Sequence, residues 1–436
     1  MYLVSSFAFL LQDLAIAMTM PSYRNFTVLV TGWVFASRRT VTGMIMAAGV
    51  AGVRHHAAFH RLFSAARWSL DMVGLAVFRI LEVWFDKQQP VLLAIDDTLA
   101  AKRGLKVFGA GMHYDPQLSS RGKTITRWGH NWVILCVVIR FPLWPDRPFS
   151  LPLLFRLYLN HKSAEKHRRA YRSRPELAVE MLRILCRHRQ NRRFHALADS
   201  AYGGQSVLSC LPTNCDLTSR LLLNARLHAS PPPRTGGRGR PRIRGPQMAT
   251  PAQMLQDRAR RIELKIYGRQ QRARVCDALA HLHRVPGRSV RVVAVEALRG
   301  GRGREAFYST CCQATAEQIL TWYSWRWSIE QTIRDSKQHL GFEEPQGYSR
   351  PAVQRTAPLG MLLYSLIVHW FASEGHRHYQ ELNRPWYRHK VQASFADMLL
   401  TLRRESTHEQ IIPLGLSGPG SKKIRQILDQ VLQLAA

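Results

Sequence analysis

Apolar residues in the first 85 positions recur three and four apart, as in RNFTVLVTGWVFASRRTVTGMIMAAGV and HHAAFHRLFSAARWSLDMVGLAVFRIL, with Arg and His set between them. That spacing lines one face of a helix and predicts several short helices joined by basic connections. Ser37, Arg38, Arg39 and Thr40 make a basic helix start. After residue 85 the texture changes. PVLLAI (90–95) is a short apolar run ending in Asp96 and Asp97, the pattern of a buried strand that delivers carboxylates at its end. NWVILCVVI (131–139) predicts a second strand, and 151–159 a third. PELAVEMLRILCRH (175–188) is amphipathic, with Pro in its first turn and cations in its last, and predicts a helix. FHALA (194–198) is a short strand ending in Asp199, and 217–223 adds another. Strands alternating with helices in this order predict α/β layers.

Residues 225–310 break that pattern. PPPRTGGRGRPRIRGP is too rich in Pro, Gly and Arg to form a packed element. Further on, 288–297 and 305–310 flank Gly300-Gly301-Arg302-Gly303 and predict a β-hairpin. After Gly347 helices resume, including 395–404. The chain therefore divides into a helical region (1–85), the first part of an α/β core (86–224), a β-rich block with a basic linker (225–310), the final part of the core (311–372) and a C-terminal helical region (373–436).

At 436 residues and 46% hydrophobic the chain can bury sizeable cores and is not expected to be disordered. Charge is the outlier. Lys and Arg number 62 against 29 Asp and Glu, a formal net charge of +33. Such an excess points to a polyanionic partner, and phosphate neutralisation makes nucleic acid the preferred one. The short basic helices at the start then suit docking on DNA. Seven cysteines, odd in number and irregularly spaced, contain no Cys-x-x-Cys pair, so neither a zinc ribbon nor a disulfide framework is expected. The N-terminal stretch lacks a basic lead and is interrupted by Gln12 and Asp13, unlike a signal peptide. The longest apolar run, 357–372, holds Pro358 and His369 and is short for a membrane span, so it reads as a buried helix. The expected setting is cytoplasmic and nucleoid-associated, with no membrane contact.

Three acids stand at the ends of predicted elements: Asp96 (or Asp97), Asp199, and Glu330 within WYSWRWSIEQTIRDSKQHLGFE. In that last segment Tyr323, Arg326, Glu330 and Lys337 are spaced by three, four and seven residues, which places them within roughly 60° on a helix. An Arg326–Glu330 ion pair is the plain reading of the stripe. A chain this basic has little reason to place bare acids at strand ends except to bind metal. Carboxylates from separate elements suit two Mg²⁺ ions about 4 Å apart, one activating a water or 3′-hydroxyl and the other stabilising the leaving oxygen.

These residues resemble the DDE-type cut-and-paste transposases of bacterial insertion sequences that carry a Tyr-x2-Arg-x3-Glu-x6-Lys signature, matched here by Tyr323, Arg326, Glu330 and Lys337. LLAIDDTLAAKRG resembles the first-acid segment, ALADSAYGG the second, and FADMLLTLRRE a C-terminal segment of close relatives. The resemblance spans roughly 30–405. It implies a ribonuclease-H-like α/β catalytic core with a mostly β insertion, flanked by helical regions. It also implies that Asp96, Asp199 and Glu330 hold two Mg²⁺, with Mn²⁺ able to substitute. Tyr323, Arg326 and Lys337 would contact phosphates of the element's end. The implied partners are terminal inverted repeats, target DNA and a second copy of the chain in a synaptic dimer. Asp96 forms Asp-x-Thr with Thr98 and is the preferred first acid, while Asp97 faces the other side of the strand by its period of two.

Some relatives stack a flipped base on a tryptophan in the insertion, but no Trp lies between Trp144 and Trp322, leaving Tyr267, His281, His283 or Tyr308 as flat partners. Arg238 and Arg240, in RGRPR, resemble an AT-hook that enters a narrow minor groove, or else belong to a basic surface linker. Lys102 either approaches a phosphate or ties a turn. Trp322, Trp325 and Trp327 are expected to pack rather than stack on bases. Two rival readings are a stand-alone nuclease of the same fold and a catalytically silent DNA-binding protein derived from a transposase.

Overall fold

A computed structural model describes residues 1–411 except 117, 234–241, 267–268, 299–302 and 381–391. Arg238, Arg240 and Tyr267 lie outside the described residues.

The apolar periodicity of the first region resolves into α1 (Ser5–Gln12), α2 (Met20–Phe35), α3 (Val41–Ala47), α4 (Ala57–Ser64) and α5 (Leu70–Leu81). The Thr40 hydroxyl accepts the Gly43 amide and starts α3, so the basic run 37–39 sits just ahead of a capped helix. These helices share one apolar core with the sheet that follows. The Trp33 indole donates to the Leu340 carbonyl across 307 residues, and the Val4 amide donates to Ser406.

The sheet begins with β1 (Val91–Ala101), β2 (Gly111–Tyr114), β3 (Thr126–Arg140) and β4 (Pro148–Tyr158). Helices α6 (His161–Lys166) and α7 (Arg174–His188) follow. A full capping box between Ser173 and Glu176 starts α7, with Pro175 in its first turn. Next come β5 (Phe194–Ala198), α8 (Gln205–Leu208) and β6 (Cys215–Leu221). Strand β1 runs antiparallel to β3 and parallel to β5, and β5 is parallel to β6. On the far side of β3, β4 and β2 both pair antiparallel.

One detail corrects the expectation that Asp96 and Asp97 follow a strand. The parallel pairing with β5 stops at Ile95–Ala198, while the antiparallel pairing with β3 continues to Ala101–Gly129. The two acids therefore stand inside β1, at the point where one of its edges opens.

The block from 225 contains β7 (Leu227–His228), β8 (Gln247–Met248), α9 (Pro251–Asp257), β9 (Arg260–Ile266), β10 (Arg269–Leu282), β11 (Val285–Ala297) and β12 (Arg304–Ser309). β11 and β12 are the expected hairpin. β12 also pairs antiparallel with β6, so these strands continue the same sheet to twelve strands. Four more helices close the described fold: α10 (Ala316–Trp325), α11 (Ser328–His339), α12 (Arg350–Ser373) and α13 (Phe395–Ile411). Among the described residues α12 alone is long and apolar enough to cross a membrane, and 94% of its apolar window is buried in the fold.

Close packing joins α5 to β4. A Cβ at Gly74 would lie 2.0 Å from the Leu153 carbonyl oxygen. Beside it Arg156 forks onto both Asp71 oxygens at 2.8 Å and reaches Glu180 of α7 at 2.8 Å. Gly74→Ala forces helix and strand apart and is expected to cost about 3 kcal/mol, the upper range for overpacking. Thermal unfolding checks this, and an unchanged melting temperature refutes the tight contact.

Candidate active site

The opening of β1 places Asp96 beside the residue that follows β5. Ile95 pairs with Ala198, so Asp96 and Asp199 leave adjacent strands side by side. Asp199 caps the short turn Ser200–Tyr202, its Oδ1 accepting the Ala201 amide at 2.9 Å, and its carbonyl accepts the Ser219 hydroxyl at 2.8 Å. Asp96 Oδ1 accepts the Asp97 amide at 2.9 Å, and Oδ2 accepts Arg326 Nη1 at 3.0 Å. Burial raises the Asp96 carboxyl to about 6; Arg326 opposes this, and the charges of Asp97 and Asp199 add to it.

The third acid comes from α11, far along the chain. α11 lies across the sheet, with Thr332 donating to the Ser150 carbonyl on β4 and Ser328 hydrogen-bonded to the Ser150 hydroxyl. Farther along, Lys337 Nζ donates to the Leu99 carbonyl on β1 at 2.7 Å. Glu330 stands in the first turn of α11, where a carboxylate is favoured by the helix dipole. Its Oε1 lies 3.4 Å from Arg326 Nη2, so one guanidinium spans Asp96 and Glu330.

The signature does not occupy a single unbroken helix. Between α10 and α11, the amides of Arg326, Ile329 and Glu330 bond three residues back instead of four. This tightening to three residues per turn separates α10 from α11 at Arg326, whose guanidinium still lies 5.7 Å from the Tyr323 ring and 3.4 Å from Glu330. Tyr323 is buried in a second small core under β10–β12, its ring 4.5 Å from Phe307 and its hydroxyl without a hydrogen-bond partner of normal geometry. Burial raises that phenol to about 12, with Arg326 opposing the shift. The side chain expected to touch phosphate thus packs inside. Lys337, tied to Leu99, also lies 3.2 Å from Glu343.

Asp97 and Asp96 have different surroundings. Asp97 Oδ1 accepts the Tyr202 hydroxyl at 2.8 Å, and Oδ2 accepts Asn131 at 3.0 Å and Arg174 at 2.7 Å. Three donors tie it to the opposite face of β1, leaving Asp96 as the acid that faces Glu330. Tyr202, Asn131 and Arg174 were not singled out from sequence, although Tyr202 sits in the ALADSAYGG segment. Lys102 ties a turn, donating to the carbonyls of Glu343 at 2.8 Å and Pro345 at 3.0 Å, and burial lowers its pKa to about 8.

Trp322 packs on His195 and Trp325 under Arg140, whereas Trp327 is exposed. Of the flat partners, Tyr308 is buried and donates to the Gly203 carbonyl, and His281 is buried beside Ser289. His283 is the partly open one among those described.

Carboxylates are the hard oxygen donors that divalent ions such as Mg²⁺ take, and Asp96 is raised by burial and by the like charges of Asp97 and Asp199. The Arg326 guanidinium already holds a positive charge between Asp96 and Glu330.

Residues 18–277, more than half of the chain, match the family model described as DDE superfamily endonuclease. The chain belongs to this superfamily. Residues 276–365 match a second model, described as Archaeal putative transposase ISC1217. The first match of this DDE endonuclease holds Asp96 and Asp199, and the second holds Glu330. Together they support a DDE transposase, a metal-dependent nuclease acting on DNA. No curated protein sequence matches the chain.

Proposed function

We propose that this DDE superfamily member is an insertion-sequence transposase that binds the terminal inverted repeats of its element, cuts at the ends and joins the freed 3′-hydroxyl to target DNA. The observation that carries the reading is that Asp96 and Glu330 share the Arg326 guanidinium, while Asp199 leaves the strand beside Asp96 and adds its charge there. The order β4–β3–β1–β5–β6, antiparallel on one side of β1 and parallel on the other, supports a ribonuclease-H-like core.

Asp96, Asp199 and Glu330 are the proposed ligands for two Mg²⁺, for which Mn²⁺ can substitute. When bound, such ions supply an activated oxygen nucleophile and charge stabilisation at the leaving oxygen. The protein's own groups do the rest. Arg326 offsets part of the charge of Asp96 and Glu330 before ions bind, and its planar fork is then suited to a phosphate near the cut. Lys337 holds α11 on β1 and offers the same stretch a second cation. Tyr323 supports Arg326 from beneath, the guanidinium carbon lying 5.7 Å from its ring centre. The helices of 1–85 supply basic docking surface, and a synaptic dimer would bridge two ends.

Cleavage and joining of DNA bearing the element's terminal repeat, by wild type and a Glu330 variant, test this function. A separate result is expected from charge. With a net +33 the logarithm of DNA affinity falls linearly with the logarithm of salt concentration. For six to ten phosphate contacts the loss from 50 to 200 mM salt is about 10³-fold or more. Fluorescence anisotropy at a series of salt concentrations checks it, and a flat response removes the polyanion reading.

A further inference from the structure

We propose that His195, Asp216 and Cys311 bind a divalent ion of the zinc class, at the end of the parallel strands opposite the three acids. His195 and Asp216 are the second residues of β5 and β6 and pair directly in register. Cys311 follows β12. One nitrogen, one carboxylate oxygen and one sulfur from the three residues all lie within 4.8 Å of one another. A tetrahedral zinc ion with bonds of about 2.0–2.3 Å needs ligand separations of roughly 3.3–3.8 Å, so side-chain rotations of about 1 Å close the set.

The surroundings orient the ligands. Thr218 Oγ1 lies 2.7 Å from His195 Nε2, which leaves Nδ1 as the ligating nitrogen. The Thr310 hydroxyl donates to Asp216 Oδ1 at 2.8 Å, and Thr310 also exchanges hydrogen bonds with the Leu217 backbone, lacing the Cys311 turn onto β6. Such outer partners hold metal ligands in place. Arg193, 3.1 Å from Asp216, opposes a cation, but its side chain is 77% exposed and the pair is screened by water.

A cavity of about 400 Å³ reaches all three residues and leaves room for water as a fourth ligand. Thiolate and imidazole favour zinc-class ions over Mg²⁺, which prefers oxygen. Along β5, His195 precedes Asp199 by four residues, about 13 Å of strand. The site is thus separate from the acids and does not depend on the transposase reading. Its ion would clamp the turn that leads into α10, and through it the Arg326 junction.

Co²⁺ is the probe. Full-length protein stripped with EDTA and titrated with Co²⁺ is expected to develop a thiolate-to-cobalt charge-transfer band whose amplitude corresponds to one bound Co²⁺, whatever further Co²⁺ the carboxylates of the proposed active site take up. Zn²⁺ bleaches the band and millimolar Mg²⁺ does not. Cys311→Ser loses the band, whereas Cys312→Ser and Glu330→Gln keep it. Should Cys311→Ser fail to fold by circular dichroism, Asp216→Asn is the second variant, expected to weaken Co²⁺ at least tenfold with the band retained. No charge-transfer band in wild type, a band surviving Cys311→Ser, unweakened Co²⁺ binding by Asp216→Asn, or displacement by Mg²⁺ would overturn the proposal.

Discussion

Glu330→Gln is expected to reduce Mg²⁺-dependent cleavage of terminal-repeat DNA at least about 10³-fold, some 4 kcal/mol of transition-state stabilisation. Binding of the same DNA should stay within about twofold. The amide keeps the size of the carboxylate and can still accept from Arg326, which lies 3.4 Å away, so the α10–α11 junction has no reason to rearrange. What it removes is the anionic oxygen of one of the three proposed ligands. Cutting followed by joining in wild type, with both lost in the variant, is the transposase outcome. Wild-type cutting that never joins indicates a stand-alone nuclease, and tight binding without cutting indicates a silent descendant. Undiminished activity in Glu330→Gln would remove Glu330 from the reacting centre.

The second large effect separates two neighbouring acids. Asp97→Ala strips acceptors from the Tyr202 hydroxyl, the Asn131 amide and the Arg174 guanidinium. Tyr202 is wholly buried, and an orphaned buried donor costs about 1–3 kcal/mol. With the other two bonds the loss should reach about 3–4 kcal/mol.

Asp96→Asn should act in the opposite direction. Its folded-state pKa of about 6 lies above the ordinary 3.8. Between those values the folded chain keeps a proton that the unfolded chain has lost, so stability falls as pH rises through the window. Above pH 6 the penalty is fully present, on the order of 3 kcal/mol. Asparagine removes it. The variant should therefore melt higher than wild type at pH 7.5 in EDTA, with the gap closing between pH 6 and 4. Adding Mg²⁺ should narrow the gap from the other side, because ions that bind the folded carboxylates stabilise wild type. Melts at three pH values, with and without Mg²⁺, decide the matter. A lower melting temperature for Asp96→Asn at pH 7.5 would show that the Arg326 pair outweighs burial.

Local chemistry made much of the fold legible. β5 and α7 fall within a residue of where apolar runs, the first-turn proline and the last-turn cations place them, because those signals act within a few residues. The i, i+4 pairing of Arg326 with Glu330 was also readable from spacing. Non-local geometry was not. Nothing around 225–310 announces that β12 will bond to β6, since pairing partners far apart in sequence leave no local pattern. The segment Trp325-Arg326-Trp327 holds no Gly or Pro, so the tightened turn there had no breaker to mark it. A period of two told that Asp96 and Asp97 point apart, but which side holds Tyr202 and Arg174 depends on how α7 packs. His195, Asp216 and Cys311 come from three separate stretches, outside any spacing rule for metal ligands.

The bond from Trp33 to Leu340, and that from Val4 to Ser406, bear on how the chain is made. A ribosome releases the five N-terminal helices first, with Phe26, Leu29 and Trp33 destined for a core whose other half emerges some three hundred residues later. At roughly 5–20 residues per second that interval lasts tens of seconds, during which sticky surface stands uncovered. Synthesis of this protein is therefore expected to lean on chaperones that hold nascent chains, and a product cut short before α12 is expected to leave Phe26, Leu29 and Trp33 without the other half of their core.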